Sequence, residues 1–176
     1  MLTEDNKVHI LRLFFEGPNV HLHLREVARQ TGLSATGAMK ILAALEKENL
    51  VRKERSAVTV VYSGNYENEK FIALKRSLNL YSLYSGGLVS ALVDFYKIPE
   101  CVVLFGSYAK GEDTGESDID IAIITSIKEY LNLEIYESNL KRKISLHLID
   151  NLKNEENEFI NSLANGIVLY GYMGVA

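Results

Sequence analysis

Cysteine and proline are nearly absent from this chain of 176 residues, which contains one cysteine and two prolines. The single cysteine, Cys101, excludes an internal disulfide framework and a cysteine-rich zinc site. Two prolines leave little room for a proline-rich disordered linker. These absences are typical of a folded protein in a reducing compartment, and we expect a cytoplasmic location.

Long apolar runs are also missing, and none approaches the roughly 20 residues needed to cross a bilayer. The first residues, MLTEDNK, lack the basic and apolar regions of a signal peptide, so we expect no membrane partner. The net charge of −4 is uneven. Residues 1–66 have nine Lys/Arg and seven Asp/Glu, whereas residues 67–176 have ten and sixteen. A slightly basic part joined to an acidic one indicates two different functions.

The first part, residues 1–66, has the element order of a winged helix-turn-helix domain. Apolar periodicity predicts helices over 4–16, 24–31 and about 34–49, then strand-like alternation over 51–63 through Val58, Val60 and Tyr62. Gly32 can take positive φ in the turn before the third helix, and Ser34 is placed to cap that helix. The segment LREVARQTGLSATGAMKILAALEKENLVRKE resembles the winged helices of archaeal and bacterial transcription regulators.

The positions expected to contact double-stranded DNA lie at the start of the third helix and in the wing. They are Ser34, Thr36, Lys40, Arg52, Lys53 and Arg55. Polar and basic side chains there suit phosphate and base-edge contacts. Only one basic residue lies in the first two turns of the recognition helix, so binding of a protein partner or formation of a homodimer is the alternative interpretation.

Residues 67–87 predict a connecting helix that ends at Gly86-Gly87, and residues 88–176 predict a second domain. Its predicted elements are a helix over 88–96, a strand over 101–105, a Gly-rich loop over 106–117, a strand over 118–124, a helix over 127–141, a strand over 143–149, a helix over 155–165 and a short strand near the end. The fold class is therefore α+β.

The sharpest motif is LFGSYAKGEDTGESDIDIAII, which joins two apolar strands. Gly106 lets the backbone approach a triphosphate without an intervening Cβ, and the N–H and hydroxyl of Ser107 can bind phosphate oxygens. Side chains alternate along a strand, so Asp118 and Asp120 point to one face, about 7 Å apart. Two such carboxylates suit Mg²⁺ or Mn²⁺ bound together with an NTP.

The Gly-Ser, ten residues, Asp-x-Asp arrangement resembles the minimal nucleotidyltransferases of the DNA polymerase β superfamily over roughly residues 88–172. The resemblance implies a mixed sheet backed by helices, and transfer of a nucleoside monophosphate from an NTP to a hydroxyl. Lys110 lies where that family often has a basic residue, which implies neutralisation of phosphate charge. Some members are antitoxins that modify a HEPN-type toxin, so a HEPN-like protein is a candidate partner. The whole arrangement also resembles archaeal winged-helix nucleotidyltransferases.

One feature departs from the superfamily, which usually has a third carboxylate on a later strand. In KISLHLID, the face expected to hold it contains Ser145 and His147. Asp150 is out of phase unless a bulge shifts it. His147 could be the general base or a metal ligand, or it could have a structural role. The loop acids Glu112, Asp113 and Glu116 are expected to lie in solvent.

The leading hypothesis is an Mg²⁺-dependent nucleotidyltransferase directed by the winged helix to nucleic acid or to a protein. The rival is a DNA-binding regulator, or an antitoxin-like protein, whose nucleotidyltransferase domain is inactive or only senses nucleotide. The missing third carboxylate motivates this rival. The sequence names neither the acceptor nor the base of the NTP.

Overall fold

The computed structural model describes residues 5–56 and 59–174 of the chain. The chain divides into two compact units, Met1–Lys75 and Arg76–Ala176. The boundary between them falls inside the segment predicted as the connecting helix, so the domain limits at residues 66 and 88 stay a prediction. Within the described ranges, every helix is too short or too polar to cross a bilayer.

The first unit contains three helices followed by a hairpin. Its elements are α1 (Asn6–Phe14), α2 (Leu24–Thr31), α3 (Ala35–Lys47), β1 (Val51–Arg55) and β2 (Val60–Gly64). β1 and β2 pair in antiparallel fashion, and Leu22 forms a bridge with Tyr62. This is the predicted winged helix-turn-helix. Glu4 and Val58, which belong to the predicted first helix and strand pattern, lie outside the described residues.

The turn between α2 and α3 has the predicted chemistry. Gly32 ends α2 with φ of 70°, a left-handed conformation that glycine adopts without strain. The Ser34 hydroxyl accepts a hydrogen bond from the Gly37 N–H at 3.1 Å and so caps α3. The inward faces of the three helices form a core whose fully buried side chains include Ile10, Phe14, Val27, Leu42 and Leu45.

The second unit begins within α4 (Glu69–Ser85) and alternates short helices with strands. Its further elements are α5 (Leu88–Phe95), β3 (Cys101–Phe105), α6 (Gly106–Lys110), β4 (Ile119–Ile124), α7 (Glu134–Leu140), β5 (Ile144–Ile149), α8 (Asn157–Ala164) and β6 (Ile167–Gly171). A short 3-10 turn, Leu152–Asn154, follows β5.

The four strands of this unit form a mixed sheet in the order β5-β4-β3-β6. β4 and β5 are parallel, while β3 is antiparallel to both β4 and β6. On one face the β4 residues Ile119, Ile121 and Ile123 pack with α5. On the other face Phe105 packs with Leu163 of α8. The end of β3 therefore lies beside the start of β4, with Phe105 opposite Asp120.

Two predicted elements differ from the structure. The helix predicted over 127–141 is helical only as α7, because local side-chain bonds replace helical ones before it. The Thr125 hydroxyl accepts the Ile127 N–H at 3.2 Å, and the Asn132 side chain accepts the Glu134 N–H at 3.0 Å. The loop predicted over 106–117 begins instead as α6, which Gly111 ends in a left-handed conformation.

Candidate active site

The two motif aspartates lie where β4 begins. Asp118 immediately precedes the strand and Asp120 is its second residue. Ile119 and Ile121 are fully buried on the opposite face, as the alternation predicts. Asp118 is exposed and Asp120 is half-buried, so the pair lies at the edge of the core with access to solvent.

The electrostatics of this pair favour a cation. Burial raises the pKa of Asp120 above its ordinary value, and the negative charge of Asp118 raises it further, whereas His147 lowers it. Asp118 and His147 therefore both lie close enough to Asp120 to affect its charge. Two carboxylates at this spacing repel each other, and a divalent cation between them would remove that repulsion.

Gly106 lies against a carboxylate of the site itself, and its predicted approach to a triphosphate stays a prediction. Its φ of 73° lies in the left-handed region. A Cβ at this position would overlap Oδ2 of Asp120 and lie 3.3 Å from its Cγ. Glycine therefore avoids backbone strain here and lets the start of α6 pack directly against Asp120, whereas a Cβ would displace the Asp120 carboxylate.

The other two residues predicted to bind nucleotide, Ser107 and Lys110, lie on α6. Ser107 is half-buried, and its carbonyl accepts the Glu112 N–H at 3.0 Å. Lys110 is exposed in the last turn of the helix. Both lie on the short helix that follows β3, and its first residue, Gly106, packs against Asp120.

β5 provides the residues that stand in place of a third carboxylate. Ser145 is the register partner of Asp120, and His147 is the partner of Ala122. Ser145 Oγ and His147 Nε2 are 3.3 Å apart, within hydrogen-bonding distance. The His147 ring packs edge-on against Phe105 at 5.2 Å between centroids. The predicted face of β5 is therefore polar at the site, and its imidazole packs against the Phe105 ring.

Asp150 does not join this group. β5 pairs with β4 in unbroken register from Ile144 to Ile149, so the bulge that would bring Asp150 into phase is absent. Asp150 instead forms an exposed ion pair with Lys128 at 3.7 Å. Over 5–56 and 59–174, no three His, Cys, Asp or Glu side chains are grouped closely enough to hold a metal by themselves.

The donor set nevertheless fits magnesium. Mg²⁺ commonly binds through one or two carboxylates, and water and substrate phosphates complete its octahedral shell. Asp118 and Asp120 offer two such carboxylates, and Gly106 at the start of α6 packs against Asp120. The site thus suits a cation that arrives with a nucleotide, rather than one that the protein binds permanently.

Sequence reasoning misplaced one residue of the connecting loop. Asp113 was expected in solvent, but it is fully buried. Arg142 Nη2 lies 3.3 Å from its Oδ2, and Asn79 Nδ2 donates to its Oδ1 at 2.8 Å. No local pattern in the loop distinguishes this buried acid from its solvated neighbours, because its partners come from distant parts of the sequence.

In the winged helix, the predicted DNA-contacting residues fall into two groups. Thr36, Lys40 and Arg55 are exposed. Each residue of the other group has a partner within the chain, and these contacts are the Ser34 cap on Gly37, the Arg52 ion pair with Glu67 at 2.5 Å, and the Lys53 ammonium 5.6 Å from the Tyr62 ring centroid. Ser34 and Arg52 are exposed as well, so Lys53 alone among the six predicted positions is partly buried.

Comparison with known families matches the two parts of the chain separately. Residues 89–172 match the family model described as "Polymerase beta, Nucleotidyltransferase". Residues 5–55 match the model described as "IclR helix-turn-helix domain". Together, the two models cover the three helices and β1 of the first unit and all four strands of the mixed sheet.

Similar proteins include the "Putative protein adenylyltransferase MJ1379" of Methanocaldococcus jannaschii, which is 47% identical over 62 residues. The match covers 31% of this chain and 61% of that relative, so the chain spans about three fifths of the relative's length. Among solved structures, a "predicted DNA-binding transcriptional regulator from E. coli" is 30% identical, with 39% of this chain and 70% of that one aligned at a TM-score of 0.33. The S. aureus MepR–DNA complex is 13% identical, with 52% and 80% aligned at a TM-score of 0.36.

Proposed function

Because the chain joins an IclR-type helix-turn-helix domain to a polymerase β-type nucleotidyltransferase domain, we propose that it transfers a nucleoside monophosphate from an Mg²⁺-bound NTP to a hydroxyl group. One observation supports this most directly. Asp118 and Asp120 share a face at the start of β4, and Gly106 packs against Asp120 at the end of β3. Carboxylates and phosphate-binding residues thus meet at one edge of the sheet.

In this proposal, α6 binds the triphosphate. Gly106 presents backbone without a side chain, the Ser107 N–H and hydroxyl donate to phosphate oxygens, and the Lys110 ammonium neutralises part of their charge. Asp118 and Asp120 hold Mg²⁺, or Mn²⁺, against the same phosphates. When bound, the cation stabilises the charge that develops on the α-phosphate and on pyrophosphate.

The proposed reaction is an in-line displacement at the α-phosphorus. The acceptor oxygen forms a bond to this phosphorus, the bond to the α–β bridging oxygen breaks, and pyrophosphate leaves with the electron pair. The acceptor's proton passes to His147, whose imidazole lies beside Asp120 on the adjacent strand. Ser145 orients that ring through the 3.3 Å contact with Nε2.

For the donor and acceptor, the name of the archaeal relative supports a finer proposal. That protein is described as a putative protein adenylyltransferase. We therefore propose ATP as the donor and a protein side-chain hydroxyl as the acceptor. In this version the helix-turn-helix domain binds duplex DNA or the protein that is modified, and a HEPN-like protein is the partner to test first.

The decisive experiment is calorimetric titration of the full chain with a non-hydrolysable ATP analogue, with and without Mg²⁺. We expect Mg²⁺-dependent binding that the Asp118→Asn/Asp120→Asn variant loses. The matched control is Asp150→Asn, because it removes a carboxylate at the far end of β5 without touching the site. Unchanged binding by the double variant contradicts the assignment, and so does the absence of Mg²⁺-dependent binding of analogues of all four NTPs by the wild type.

A second function is duplex DNA binding without catalysis. Two observations favour it: among the described residues no third carboxylate joins Asp118 and Asp120, and Thr36, Lys40 and Arg55 are exposed. Its test is filter binding to duplex DNA over a series of salt concentrations. Lys40→Ala and Arg55→Ala should each reduce the salt slope by about 1, since each removes roughly one phosphate contact. Lys47→Ala, at the other end of α3, is the control. Absence of binding at low salt rules this function out.

A further inference from the structure

The loop that joins α6 to β4, residues 111–118, is held by a buried charge pair. Asp113 is fully buried, and the Arg142 side chain is only 9% exposed. Burying two charges costs several kcal/mol per ion in desolvation, and pairs of apolar residues commonly stabilise a core as well or better. A buried pair at this place is therefore better explained by a need for fixed geometry than by a need for stability.

The contacts of Arg142 lead directly to Asp118. Its Nη1 donates to the Thr114 carbonyl, and that same carbonyl accepts the Ser117 N–H at 3.1 Å. The Ser117 hydroxyl in turn accepts the Thr114 N–H at 2.9 Å and closes the turn. The residue after Ser117 is Asp118. Arg142 thus holds the turn from which the first carboxylate of the pair extends.

The same pair also fixes α6 on the other side of the loop. The Arg142 guanidinium lies over the Tyr108 ring, with Cζ 6.0 Å from its centroid. Asn79 donates both to Asp113 Oδ1 and to the Tyr108 carbonyl, the latter at 3.0 Å. Tyr108 follows Ser107 directly, so one network connects the segment expected to hold phosphates with the turn that precedes Asp118.

We propose that Arg142 and Asp113 are positioning residues that set the Asp118 carboxylate against Asp120 and against α6, and so determine the affinity of the site for its divalent cation. This inference rests on the proposed function. Neither residue touches the reacting atoms. Both act through the turn at Thr114 and Ser117, as outer residues orient the ligands of other metal sites.

The test uses the full chain with the non-hydrolysable ATP analogue present. It measures Mn²⁺ affinity by electron paramagnetic resonance, and hydrogen exchange of the amides of residues 114–119. We expect Arg142→Met to weaken Mn²⁺ binding about 10- to 100-fold, the usual effect of losing such a partner. Exchange at these amides should become faster in the same variant. Arg142→Lys keeps the charge but not the fork of donors, so it should restore part of the affinity.

The control for general loss of stability is Tyr96→Phe. It removes the hydrogen bond from a buried hydroxyl to the Glu129 carbonyl, on the opposite face of the sheet from Asp120. This variant should keep wild-type Mn²⁺ affinity and wild-type exchange at 114–119. If Arg142→Met does not fold, Asp113→Asn/Arg142→Met replaces it, because that variant leaves no lone buried charge.

Wild-type Mn²⁺ affinity and wild-type exchange in the Arg142 variants overturn the inference. Equal weakening of Mn²⁺ binding in Tyr96→Phe also overturns it, since the effect would then follow stability alone. If the wild-type chain binds no Mn²⁺ even with the ATP analogue present, the proposed function fails and exchange at 114–119 decides the positioning role by itself. Faster exchange in the Arg142 variants but not in Tyr96→Phe then supports it, and unchanged exchange refutes it.

Discussion

Arg52 and Arg142 are each paired with a carboxylate, one in each compact unit, but water reaches only the first pair freely. The Arg52 and Glu67 side chains are 42% and 80% exposed, whereas those of Arg142 and Asp113 are 9% and 0% exposed. An exposed pair is screened by solvent and contributes little to stability. A buried pair cannot lose one partner without leaving an unpaired charge in the core.

The exposed and the buried ion pair suit different roles. Because little free energy is lost when it opens, the Arg52 pair can release its guanidinium to a DNA phosphate, so the predicted DNA contact of Arg52 is compatible with its ion pair. Arg142 is held by Asp113, by the Thr114 carbonyl and by the Tyr108 ring, and it keeps one place. The first arginine suits an exchangeable contact and the second suits a fixed scaffold.

The largest expected effect comes from breaking the buried pair. Arg142→Met should lower the free energy of unfolding of the second unit by roughly 3 to 5 kcal/mol, the usual cost of removing one partner of a buried pair. Arg52→Met, the matched change in the first unit, should leave stability unchanged within error. Native-state hydrogen exchange measures both, because slowly exchanging amides such as those of Ile121 and Leu42 report on each unit separately. Equal losses of stability from the two substitutions would contradict the distinction between the buried and the exposed ion pair.

The next effect in size concerns two left-handed glycines of the second unit. Gly106 and Gly87 have φ of 73° and 74°, so alanine at either position costs about 1–2 kcal/mol in backbone strain. A Cβ at Gly87 meets nothing within 4 Å, whereas one at Gly106 overlaps Asp120. Gly106→Ala should therefore destabilise the unit more than Gly87→Ala and also abolish Mg²⁺-dependent binding of the ATP analogue. If Gly87→Ala lost that binding too, strain rather than the approach to Asp120 would be the cause.

These residues also show which features of the site can be predicted from the sequence and which cannot. Gly106 could be singled out because glycine lets the backbone approach another group without a Cβ, and the Asp118–Asp120 alternation because a strand fixes the direction of each side chain. Ser145 and His147 could be placed on the same face for the same reason. Asp113 could not, since a loop carboxylate looks alike whether it meets water or an arginine brought to it by the fold. The irregular segment before α7 was also missed, because its Ile127 and Leu131 have helical spacing but pack on the core without a helix.

A smaller effect is expected at the start of α3. Ser34→Ala removes the cap on the Gly37 N–H and should lower the free energy of unfolding of the first unit by about 1 kcal/mol. Thr36 lies two residues later and its side chain is exposed, so Thr36→Ala should leave stability unchanged. Hydrogen exchange in α3 measures both. In the DNA-binding assay, Thr36→Ala should weaken binding while hydrogen exchange in α3 stays at the wild-type rate. A stability loss in Thr36→Ala as large as in Ser34→Ala would contradict the assignment of the cap.

The smallest effect is a pH dependence confined to the surface of the first unit. Hydrogen bonds from Arg29, and then from Gln30, lower the pKa of Glu26 from 4.5 to about 2. A carboxyl whose pKa is lower in the folded state contributes stability above its unfolded pKa and loses it as the pH falls toward the folded value. The Glu26 contribution to stability should therefore fade between about pH 4.5 and pH 2, and salt should reduce it because the Arg29 contact is exposed.

Glu26→Gln should flatten the pH dependence of hydrogen exchange in α2 over that range, while leaving exchange in β4 of the second unit unaffected. A steeper dependence in the variant would reverse the sign and show that Glu26 is charged more easily in the unfolded chain than in the folded one.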